Sequence, residues 1–101
     1  MSLRANGLRR IDDEIAREKA AALGRAGERL EAALVALDAL ARALEAVSDD
    51  GQGQALRTAY DTARARARTA RLHLEIQREA LGLRSHRVVD QQFPEPPPPA
   101  L

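Results

Sequence analysis

At 101 residues the chain is one domain or less, and nearly half of its 45% hydrophobic content is alanine. With Tyr60 and Phe93 as the only aromatic side chains, a conventional globular core is excluded in favour of helices in close contact. The 16 basic and 15 acidic residues leave a net charge of +1, which makes no case for a nucleic acid or an anionic membrane as partner.

Cysteine is absent, so disulfides and thiolate chemistry are excluded. The opening MSLRANGLRRIDDE has no apolar stretch of the secretory kind. The longest uncharged run of real hydrophobicity, residues 32–37, is far short of a membrane span. No membrane association is expected, and a cytoplasmic location is the default. Lys19 is the sole lysine among many arginines, which with the alanine excess fits a high-GC bacterial genome.

Residues 1–7 read as a flexible basic lead ending in Asn6-Gly7. A first helix is predicted over residues 8–47, with Asp12, Asp13 and Glu14 near the positive end of its dipole. Leu23, Leu30, Leu37 and Leu44 recur at sevens, followed three residues on by Ala26, Ala33, Leu40 and Val47. Leu34 and Ala41 widen this stripe, and Gly27 lies on it, as close helix approach would require. Residues 48–53 predict a turn, with Gly51 as a left-handed helix cap and a Ser or Asp opening the next helix.

A second helix is predicted over residues 54–85. Its seam reads Leu56, Tyr60, Ala63, Ala67, Ala70, Leu74, Gln77 and Leu81, in alternating steps of four and three. Folded back on the first helix, this seam sets Leu37 against Ala67 and Leu30 against Leu74. Residues 88–101 predict an extended tail, because four consecutive prolines can be neither helix nor central strand. Its PxxP spacing is a weak ligand motif beside a simple disordered tail. Val88, Val89 and Phe93 are expected to fold against Leu8, Ile11 and Ile15, which otherwise lack apolar partners.

Charge reinforces this pairing. Glu45 with Arg57, Asp38 with Arg64, and Glu31 with Arg71 have residue numbers that each sum to 102 and step by sevens, the pattern of two antiparallel helices. Residues 11–50 hold ten acids and five bases, and residues 54–87 hold eight arginines and three acids, so the arms neutralise each other. Such pairs fix register more than stability. The fold class expected is therefore all-α: a two-helix antiparallel coiled-coil hairpin over residues 8–87 with an extended Pro-rich tail.

Leu72, Ile76 and Leu83 point away from the second seam, and Ala32, Ala36, Ala39 and Ala43 form a stripe away from the first helix's leucines. A solitary hairpin leaves both in water, which predicts a homodimer closing as a four-helix bundle. The Arg-rich run around Arg64, Arg66, Arg68 and Arg71 supplies a second candidate surface, for nucleic acid. Against it stand the absence of interleaved aromatics and the acids that already face these arginines. His73 and His86 lack ligand-spaced partners, apart from Asp90 beyond His86. No catalytic, cofactor or metal residue is named, and no cofactor is expected.

Glu14-Ile15-Ala16-Arg17-Glu18-Lys19-Ala20 through Leu34, and Gln77-Arg78-Glu79-Ala80-Leu81-Gly82-Leu83-Arg84, resemble a family of small uncharacterised proteobacterial helical proteins, a domain of unknown function. The resemblance covers about a third of the chain and implies fold and bacterial origin, with no activity to carry over. The proline tail departs from that family's pattern. The expectation is a non-enzymatic helical interaction or scaffold protein, with a nucleic-acid-binding accessory protein as the alternative. An adaptor presenting Leu72 and Ile76 to an unidentified protein is a third reading.

Overall fold

The computed structural model describes residues 3–95, and every element among them is a helix: α1 (Leu3–Ala46), α2 (Asp50–Ala80) and α3 (Arg87–Gln92). The molecule measures 73 × 21 × 14 Å, an elongated shape barely thicker than one layer of helices. Strong helix formers explain the length of α1, which spans Gly24 and Gly27 without interruption. A methyl group at either glycine would meet nothing within 4 Å, so Gly27 does not mark the close approach its position predicts. Replacing both by alanine should raise stability, by about 0.5–1 kcal/mol each, in thermal melts followed by circular dichroism.

The first helix begins earlier than residue 8 and takes in residues 3–7 of the expected lead. Only residues 47–49 separate it from α2, in place of the expected turn at 48–53. Asp49 decides this. Its extended backbone (φ −92°, ψ 122°) and a side-chain Oδ1 that accepts from Gly51 N at 3.1 Å cap the new helix, and Gly53 N donates to Asp49 O at 2.8 Å. Gly51 is therefore the second residue of α2 and not a left-handed cap.

The left-handed glycine is Gly82, at φ 84°. Gly82 N donates to Glu79 O at 2.9 Å and Leu83 N to Arg78 O at 3.0 Å, the paired bonds of a Schellman terminus. A side chain at this φ costs roughly 1–2 kcal/mol, so glycine ends α2 at Ala80 where the sequence predicts helix to residue 85. Leu83 thus lies beyond the helix that carries Leu72 and Ile76.

The predicted seams are the buried ones. Leu37, Tyr60 and Ala67 form one core cluster, lined by Ala33, Leu34, Leu40, Ala41, Leu44 and Ala63. Ala26, Leu30, Leu74 and Val89 form a second, flanked by Leu23, Leu34, Ala70 and Phe93. Contacts move toward the start of α1 as they move toward the end of α2. They begin with Val47 near Gly53 and finish where Lys19 Nζ donates to Ala80 O at 3.5 Å. Gln77, the polar member of the predicted seam, is half-buried.

Residues 87–92 are helical, which corrects the expected extended tail over 88–92; residues 96–101 of that tail lie outside the described residues. The chain reverses at Gly82, so Val89 and Phe93 pack on Ala26, Leu30 and Leu74 and never reach Leu8, Ile11 or Ile15. Those three remain exposed, as does Val88. Arg78 Nη2 donates to Ser85 O at 2.7 Å, and His86 Nε2 lies 3.0 Å from Glu79 Oε1, bracing the corner.

Candidate functional site

Arg64, Arg68 and Arg71 occupy one stripe of α2 because i, i+4 and i+7 share a helix face. The segment 87–95 returns along this stripe and brings two carboxylates to it. Arg71 Nη1 donates to Asp90 Oδ1 at 2.8 Å, and Arg71 Nη2 donates to the main-chain oxygen of Phe93. Arg68 Nε donates to Glu95 Oε1 at 3.0 Å. Arg64 Nε lies 3.3 Å from the same oxygen, a charge contact without the alignment of a hydrogen bond.

Arg71 and Arg64 are the least exposed of these guanidinium groups, at 16% and 24% of side-chain surface. The hydrogen bond from Arg68 holds the Glu95 carboxyl below its ordinary value. Partial burial opposes this, and the charges of Arg68, Arg64 and Arg71 add to it. Beside the arginines, Val89 and Phe93 pack into an apolar groove between the long helices, on Ala26, Leu30 and Leu74 with Leu23 at its edge. On the other side Phe93 and Pro94 face Glu31, Leu34, Val35 and Asp38 across an open cleft. The result is a segment held by one apolar edge and one acidic edge.

This segment displaces two of the three predicted ion pairs, and the third is absent among the described residues. Asp38 pairs with Arg42 at 3.0 Å, an i,i+4 contact within α1, and not with Arg64. Arg71 takes Asp90 in place of Glu31. Among the described residues no ion pair joins Glu45 to Arg57, whose guanidinium leans toward Gly53. The constant-sum reasoning considered two helices only, and for Arg64 and Arg71 the third segment supplies nearer acids.

The proposed dimer residues are placed as follows. Leu72, Ile76 and Leu83 are exposed, Ala32, Ala36 and Ala39 are exposed, and Ala43 is half-buried. Of the candidate nucleic-acid contacts, Arg64, Arg68 and Arg71 face carboxylates at ion-pair distance, while Arg66 is exposed. His73 is exposed and His86 belongs to the corner with Glu79. Among the described residues no group of three His, Cys, Asp or Glu could hold a metal ion. No helix among them is long and apolar enough to cross a membrane.

Sequence reasoning expected Val88, Val89 and Phe93 to fold back, but onto Leu8, Ile11 and Ile15, and it missed the strap that residues 87–95 form beside α2. Its signal was present: Val89 and Phe93 are spaced i,i+4, and Pro94 stops a helix immediately after them. No protein-family model, no curated protein and no solved structure matches this chain.

Proposed function

We propose that the chain is a non-enzymatic helical interaction or scaffold protein, an antiparallel hairpin that pairs with a second copy as a four-helix bundle. The observation that carries this reading is the exposure of Leu72 (54%) and Ile76 (50%) one turn apart on the side of α2 opposite its buried seam. An isologous pairing would lay these side chains on the alanine stripe Ala32, Ala36, Ala39 and Ala43 of the second copy, and the reverse. Bulky residues on small ones let helices approach closely, and each buried leucine or isoleucine would contribute about 1.5–3 kcal/mol. The resemblance to bacterial helical proteins accords with a cytoplasmic bacterial scaffold.

Sedimentation tests the reading. The unmodified chain is expected to run as a dimer, and the double substitution Leu72→Glu, Ile76→Glu as a monomer of similar helicity. A monomer before substitution would sink the self-association part of the reading. The nucleic-acid alternative draws less support, because three of its four arginines already carry carboxylate partners within the chain.

A further inference from the structure

The stripe Arg64, Arg68 and Arg71 and the groove beside it hold a segment of peptide in the described structure, and that segment is the chain's own. Its features define what the surface recognises. Two apolar side chains one helical turn apart, Val89 and Phe93, enter the groove, and two acids, Asp90 and Glu95, face the guanidinium groups. We infer that this surface is a docking site for an acidic amphipathic peptide segment of another polypeptide, with residues 87–95 standing in it as an intramolecular substitute.

Three observations favour a peptide over a nucleic acid. Arg71 donates both to a carboxylate and to a main-chain carbonyl, and only a polypeptide offers the two together. Apolar residues line the groove, with Leu30 and Leu74 beneath Val89 and Phe93, where a phosphate backbone has nothing to bury. Tyr60, the only Phe, Tyr or Trp on α2, is 1% exposed inside the core and unavailable for stacking on a base.

The strap is built to be displaceable. It hangs from α2 by residues 81–86, its helix is six residues long, and the carboxylates it contributes, Asp90 and Glu95, are exposed, where salt screens them. Local release is therefore the low-stability motion of this molecule. The inference rests on the interaction-protein reading but not on self-association, so a monomer in sedimentation leaves it standing.

The probe is a labelled synthetic peptide with the sequence of residues 86–95, titrated into the full-length chain in low and high salt. Against the unmodified chain binding should be weak, because the site is filled from within. Against a full-length variant carrying Asp90→Ala, Phe93→Ala and Glu95→Ala it should be about tenfold tighter or more, since the competing segment no longer occupies the site. A peptide with Asn and Gln in place of its two acids should lose about tenfold of that affinity, as expected when charge-assisted bonds become neutral ones. Circular dichroism confirms that the variant keeps its long helices; if it does not, Glu95→Lys alone replaces it, with the same direction of change expected. No gain in affinity on loosening the strap, or equal binding of the neutral peptide, would overturn the inference. So would tighter binding of a single-stranded oligonucleotide than of the peptide to the loosened chain.

Discussion

Leu30→Ala should lower the unfolding free energy by about 2–5 kcal/mol in urea titrations followed by circular dichroism. Leu30 has no exposed surface, and it is the residue at which all three helices meet, touching the cluster of Ala26, Leu74 and Val89. Two of those neighbours cannot collapse into the gap: Ala26 is small and Leu74 is held by its own helix. The loss therefore combines the transfer term with a retained cavity. Val35, five residues on and 65% exposed, provides the contrast, because its replacement by alanine should change stability by no more than about 0.5 kcal/mol. Equal effects at the two positions would show that the buried seam does not carry the fold.

Val89→Asp should detach α3 while leaving the long helices paired. Val89 is 2% exposed and packs among the apolar side chains of Ala26, Leu30 and Leu74, so a carboxylate placed there would be buried against hydrocarbon. An unpaired buried charge costs several kcal/mol, more than a six-residue helix gains by docking. The least costly response is release of residues 87–93 into water. Global stability should then fall by no more than the apolar burial of Val89 and Phe93, about 3–6 kcal/mol. Amide exchange distinguishes this from general unfolding. The Phe93 amide, which donates to Val89 O at 2.8 Å, should lose protection, while amides around Leu37 and Ala67 keep theirs. Loss of protection along both long helices together would mean that α3 belongs to a single cooperative unit.

How much of this was legible in the chain follows from the range of the interactions. Heptad-spaced leucines and the four–three seam of the second helix mark the positions that prove buried, because helical periodicity is a local property written in every turn. The existence of a break near residue 50 was legible for the same reason. Its position was not, because Asp49 as a side-chain acceptor and Gly51 as a left-handed cap are both reasonable readings of Ser48-Asp49-Asp50-Gly51. Only the backbone geometry at Asp49 selects the first.

The charge partners were beyond the sequence. An arginine on α2 can reach acids on α1, on its own helix or on any segment that passes over it, and at surface dielectric these choices differ by a fraction of a kcal/mol. The return of residues 87–95 settles the choice for Arg64, Arg68 and Arg71, and that return depends on the left-handed turn at Gly82. The sequence by itself determined the helical class, the two long elements and the faces they bury, since each needs only residue spacing. The tertiary structure alone decided where the C-terminal segment docks and which acids the arginines take. Both are contests between distant residues that spacing along the chain does not record.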